Sequence, residues 1–152
     1  MVKKPDIKTR KKLRIAICFF YLLQVLMCTF PFIHGQRIGT QELTSASPFY
    51  MVYILFGIMG EMDAGSLTFC ITCIALILIP VVGFFFCALD KERNLKNIVS
   101  ILCCFTGVFL IMFTIPTAYM SLGAVVAVLL YIIIMFLTTV SMVMRLSKDD
   151  VE

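Results

Sequence analysis

Four stretches of this chain contain no Asp, Glu, Lys, Arg or His: residues 15–33, 66–89, 98–119 and 121–144. Each comes to roughly 20 residues, the length that carries a helix across about 30 Å of hydrocarbon. Lipid offers no hydrogen bonds to a bare backbone, so a continuous apolar run of this length must satisfy its own amides and carbonyls as a helix. The expected fold is therefore an all-α membrane protein with four transmembrane helices. Composition points the same way: of 152 residues, 61% are hydrophobic and 14% charged, too little charge for the surface of a soluble domain. The length accommodates one helical bundle over residues 15–144 and no separate soluble catalytic domain.

The charges sit outside those stretches, and unevenly. Lys3, Lys4, Lys8, Arg10, Lys11, Lys12 and Arg14 crowd residues 1–14. A basic cluster beside an apolar span fixes orientation and touches anionic lipid headgroups on the cytoplasmic face, so the net charge of +4 calls for no nucleic acid. Residues 15–33 exceed a signal-peptide h-region, and the small-residue run Thr44-Ser45-Ala46 lies well beyond them, so they are expected to remain as the first span.

A fifth apolar segment, "PFYMVYILFGIMGEMDAGS" over residues 48–66, raises the question of a further crossing. Thirteen residues precede Glu61, about 20 Å of helix at 1.5 Å per residue, which is too short to cross upright. Charge decides the matter. With four spans and both termini inside, 12 of the 13 Lys and Arg are cytoplasmic and only Arg37 is outside. A fifth crossing would move Lys91, Arg93, Lys96, Arg145 and Lys148 outside, against the positive-inside rule. The segment is expected to lie on the outer interface as a short apolar helix between the first and second spans. His34 to Ser47 would form an exposed polar loop within the outer segment 34–65, and residues 145–152 a polar, frayed cytoplasmic tail. Ser66, Asn97 and Ser121 are the expected N-caps of spans two, three and four.

Cys70 and Cys73 form a C-x-x-C near the start of the second span, a spacing that puts both sulfurs on one helix face. Through that motif and the number of helices, the chain resembles the four-helix quinone-linked thiol oxidases and the vitamin K epoxide reductase group. The resemblance implies dithiol chemistry at Cys70 and Cys73. Those enzymes relay electrons through a second cysteine pair in an outer loop, and residues 34–65 contain no cysteine. Packing is the expected role, since Cys behaves as a small apolar residue. Cys18, Cys28, Cys87, Cys103 and Cys104 are read in the same way, and the adjacent Cys103 and Cys104 point off different faces, which makes them a poor metal clamp.

Other polar positions have two readings each. Glu61 and Asp63 could draw a cation or an amine toward a pore mouth; just before a helix start, they also complement its dipole. Pro80 should kink the second span, with Gly83 one turn on admitting a neighbouring backbone. Gln24, the most polar side chain inside any span, can hydrogen-bond across helices. Gly123 and Ala127 form a small-xxx-small pair suited to close helix packing. The hydroxyls of Thr68, Thr72, Ser100, Thr106, Thr138, Thr139 and Ser141 are expected mostly on their own helix backbones. "TFP" at residues 29–31 and "TIP" at 114–116 echo one another, as two duplicated hairpins would. His34, the one histidine, has no carboxylate or cysteine beside it. No metal, cofactor or enzyme motif is present in the sequence.

The expected function is that of a non-enzymatic accessory or interaction subunit in the cell (plasma or inner) membrane, packed against itself or a larger membrane protein. A small oligomeric transporter or channel is the alternative, and a thiol-disulfide oxidoreductase using Cys70 and Cys73 the second. Against transport, the spans hold no ionisable carboxylate, amine or imidazole, which coupled carriers keep.

Overall fold

The computed structural model describes residues 7–36, 43–57, 60, 63–89 and 95–149. Five helices follow one another: α1 (Ile7–Met27), α2 (Pro48–Gly57), α3 (Ala64–Ala88), α4 (Leu95–Thr114) and α5 (Leu122–Asp149). Strands β1 (Ile33–Gln36) and β2 (Leu43–Ala46) lie between α1 and α2, and a short 3-10 turn, Thr117–Tyr119, between α4 and α5. Among the described residues, three helices are long and apolar enough to cross a membrane: Ala64–Ala88, Asn97–Thr114 and Leu122–Met144. They mark the chain as a multi-pass membrane protein.

The long helices close a ring. α1 packs on α3 and α5, and α4 packs on the same two, while α2 rests chiefly on α3. The buried core runs along the axis through Ile17, Tyr21, Leu76, Ile111, Tyr131 and Ile134. Large apolar side chains such as Phe19, Leu22, Phe105, Phe109, Leu129 and Phe136 face outward. Such a surface suits hydrocarbon and would be a liability in water.

The first expected span is corrected at both ends. α1 begins at Ile7, inside the basic segment, and stops at Met27 rather than continuing to Ile33. Pro31 explains the stop: it brings no amide, and it pushes the residue before it out of the helical region. Cys28, Thr29 and Phe30 tighten into bonds three residues back, to Val25, Leu26 and Met27, and the chain then extends. Only Ile15 to Met27 is both helical and apolar, about 20 Å at 1.5 Å per residue. Phe32 and Ile33 continue as extended chain.

The expected exposed loop His34 to Ser47 is also corrected, because its two flanks pair. β1 and β2 are antiparallel with Ile33 opposite Ala46 and Gln36 opposite Leu43. On its other side Ile33 bridges to Met120, and the Phe32 carbonyl accepts from the Ser121 amide at 2.9 Å. Backbone groups freed at the end of α1 thereby find partners in the α4–α5 connection. Ser47 opens α2, its hydroxyl accepting from the Tyr50 amide at 3.2 Å, with Pro48 in the first helical position where a missing amide costs nothing.

Two of the three expected N-caps are displaced, and Ser121 keeps its place directly before α5. α3 starts two residues early and is capped by Asp63, whose carboxylate accepts from the Ser66 amide at 3.1 Å. Asn97 is already inside α4 and buried. The Ser121 carbonyl takes the first amides of α5, while its hydroxyl is hydrogen-bonded to His34 Nε2 at 2.9 Å. α4 ends at Thr114 rather than Tyr119, because Pro116 stops it as Pro31 stops α1. The backbone of α5 stays helical to Asp149, through most of the tail expected to fray. Residues 90–94, between α3 and α4, lie outside the described residues, as do Arg37 and Glu61.

Candidate functional site

Polar atoms in the ring interior gather on α1, α4 and α5. The Tyr21 hydroxyl reaches Ser100 on α4, 2.6 Å from its Oγ and 3.2 Å from its carbonyl oxygen, to which it donates. Ser100 Oγ lies 3.3 Å from Thr138 Oγ1 on α5, and Thr138 donates to the Ile134 carbonyl at 2.7 Å. A chain of hydroxyls thus joins three helices and ends on a backbone carbonyl. Ser100 departs from the expectation that span hydroxyls serve their own helix; Thr68, Thr72, Thr138 and Thr139 follow it.

Glycine makes room for the two tyrosines. A Cβ on Gly83 of α3 would overlap the ring and hydroxyl of Tyr21, and a Cβ on Gly107 of α4 those of Tyr131. Gly83 therefore admits a side chain from α1, where a neighbouring backbone was expected. Gly123, in turn, lies against the Pro31 carbonyl, which seats the start of α5 on the end of α1. Ala127, one turn on, is fully buried.

Gln24 is buried with 1% exposure, and its Oε1 has no hydrogen bond. The Tyr131 hydroxyl is likewise without a hydrogen-bond partner, as is Asn97 Nδ2. The Gln24 and Tyr131 atoms are the groups best placed to receive a polar ligand or a water. Pro80 is buried within α3.

Cys70 and Cys73 are both buried on α3. Cys73 Sγ sits 3.9 Å from Met51 Sδ on α2, beside a small apolar cleft lined by Phe32, Pro48, Met51, Phe69, Leu76 and Ile115. Among the described residues no group of three His, Cys, Asp or Glu could hold a metal ion. Asp63 is fully exposed, and the Ser66 amide and side chain together hold its carboxyl below the usual carboxylate range.

At the other end of the ring, Lys11 and Lys12 are exposed, and the Arg14 guanidinium donates to the Ala88 carbonyl in the last turn of α3. That contact gives Arg14 a helix-capping role that the charge pattern alone did not suggest. Cys18 Sγ lies 3.3 Å from Cys87 Sγ, linking the same two helices. Lys3 and Lys4, with the side chains of Lys8 and Arg10, lie outside the described residues.

Sequence reading missed Tyr21, Tyr131, Ser100 and Gly107. The available signal was a phenol in the middle of each of two apolar spans, since a buried hydroxyl requires a partner and a ring requires space. Searches against known protein families, curated proteins and solved structures find no match.

Proposed function

We propose that this chain is a non-enzymatic interaction subunit: a four-span membrane protein with both termini in the cytosol that works by packing against another membrane protein. The observation that carries this reading is the filled interior. Tyr21 and Tyr131 occupy the space over Gly83 and Gly107, and the Tyr21, Ser100 and Thr138 hydroxyls consume one another. With the interior between these helices filled and the described exterior apolar, the surface is what the chain has left to act with. α2 adds to that surface, with Phe49, Tyr50, Tyr53 and Phe56 exposed. Four crossings require the extended residues Phe32 and Ile33 to finish what α1 begins, and their pairing with β2 and Met120 supplies the hydrogen bonds such a passage needs.

Purification in mild detergent after cross-linking in intact membranes tests the proposal. The expected result is a stoichiometric membrane partner, or a defined oligomer of the chain, retained by the wild type and weakened by Tyr53→Ala. A monodisperse monomer with no cross-linked product overturns it.

A second reading, a small transporter, draws on the unpaired Gln24 Oε1 and Tyr131 hydroxyl. Under that reading Gln24→Leu abolishes a solute flux in reconstituted vesicles, while the cross-linked partner is unaffected.

A further inference from the structure

Cys18 and Cys87 are 69 residues apart in sequence, and their sulfurs are 3.3 Å apart in the fold. Both thiols are half-buried, whereas Cys28, Cys70, Cys73 and Cys104 are buried. They sit at one end of the α1–α3 contact. Arg14, one turn before Cys18, donates to the Ala88 carbonyl, and Cys87 Sγ lies 3.9 Å from the Arg14 carbonyl. The helix ends are thus pinned together beside the sulfur pair, which holds the two thiols opposed.

We propose that Cys18 and Cys87 are a site of oxidative modification: a dithiol that a hydroperoxide converts to a disulfide stapling α1 to α3. A disulfide needs its sulfurs about 2.05 Å apart, so each sulfur moves by well under an ångström, within reach of small χ1 rotations. The chemistry balances with hydrogen peroxide as the oxidant. One sulfur, as thiolate, attacks a peroxide oxygen, the O–O bond breaks, and a sulfenic acid forms with release of water once the leaving hydroxide is protonated. The second sulfur then attacks the sulfenic sulfur, the S–O bond breaks, and a second water leaves with the second thiol proton. Two electrons pass from the sulfur pair to the peroxide. A neutral oxidant of that size can enter a half-buried site at the edge of an apolar bundle, and a cellular thiol reverses the step by exchange.

The test uses the full chain in detergent, exposed to hydrogen peroxide, then unfolded in SDS and alkylated with a maleimide polymer under non-reducing conditions. Oxidation is expected to lower the number of adducts from seven, one per cysteine, to five. Reduction restores seven, and peptide mapping of the oxidised wild type finds Cys18 joined to Cys87. Cys18→Ser and Cys87→Ser should each lose that linkage, and the peptide map on the wild type stands even if a variant fails to fold. The proposal is overturned if both thiols still react with maleimide after peroxide treatment. It is equally overturned if the bridge joins other cysteines, or if it joins two chains.

Discussion

The ring of Tyr21 on α1 lies over the bare Cα of Gly83 on α3, and its hydroxyl ends on Ser100 of α4. One side chain thereby fixes the separation of two helices and reaches a third. Gly83→Ala places a methyl where the ring now sits. The ring cannot swing aside without leaving Ser100, so the substitution should destabilise the fold by about 1–3 kcal/mol, the usual cost of overpacking a core. Thermal unfolding in detergent measures it. Adding Tyr21→Leu to Gly83→Ala should recover part of the loss; additive losses would mean that the ring and the glycine do not share the space.

Tyr21→Phe keeps the ring and removes the bond to Ser100. The expected loss is about 0.5–1.5 kcal/mol, in the range of a buried neutral hydrogen bond. Ser100→Ala leaves the Ser100 carbonyl as an alternative acceptor for Tyr21, so it should cost no more than Tyr21→Phe. Because both changes break the same link, the double variant should lose less than the sum of the two, as read in the same unfolding measurement.

Gln24 Oε1 and the Tyr131 hydroxyl present the opposite case, two buried polar groups without hydrogen-bond partners. Removing both polar groups while keeping shape, as in Gln24→Met with Tyr131→Phe, should leave stability unchanged or raise it, because neither atom gives up a bond. A marked fall in melting temperature would show that the pair is satisfied by something bound between α1 and α5.

What could be read from the sequence, and what could not, divides along physical lines. Apolar runs without charge announce α3, α4 and α5 directly, since length and hydropathy are local properties. The short α2 was legible as an apolar helix for the same reason. Proline positions were visible, yet their consequence at Pro31 was not drawn: the run 15–33 stays apolar past the proline, and hydropathy cannot distinguish helix from extended chain. The hairpin depends on Ile33 meeting Ala46 and Met120, contacts between segments that carry no periodic signal of their own. Asp63 rather than Ser66 caps α3 because the helix begins two residues before Ser66, which brings the Ser66 amide within reach of the carboxylate. The interior site needed the third dimension: Tyr21, Gly83 and Ser100 are ordinary letters until three helices bring them together, and so are Cys18 and Cys87.

Asp63 makes the start of α3 sensitive to acid. Its carboxyl is held below the usual range by the Ser66 contacts, so the folded state favours the ionised form. The sign follows from linkage: the contribution is present above the pKa of the unfolded chain and is lost as pH falls through the lower, folded value. Amide exchange in the first turn of α3 should therefore quicken on acidification through that window. Asp63→Asn retains a capping oxygen without the charge and should abolish the pH dependence, while Asp63→Ala should expose the turn at every pH.

Orientation governs every statement about sides, and two single cysteines decide it. Lys12 and Tyr53 are both exposed, Lys12 on the basic stretch of α1 and Tyr53 on α2. The proposed four-span arrangement, oriented by the positive-inside rule, puts the first in the cytosol and the second on the far leaflet. An impermeant maleimide applied to intact cells should add one adduct to Tyr53→Cys and none to Lys12→Cys, over the background of the native cysteines. Permeabilising the membrane should bring Lys12→Cys to the same level. Labelling of Lys12→Cys from outside would invert the whole arrangement. Labelling of both sites from outside, or of neither, would put them on one side of the membrane with no crossing between them, and would reduce the membrane-crossing set to the three helices whose length and hydropathy suffice without the extended end of α1.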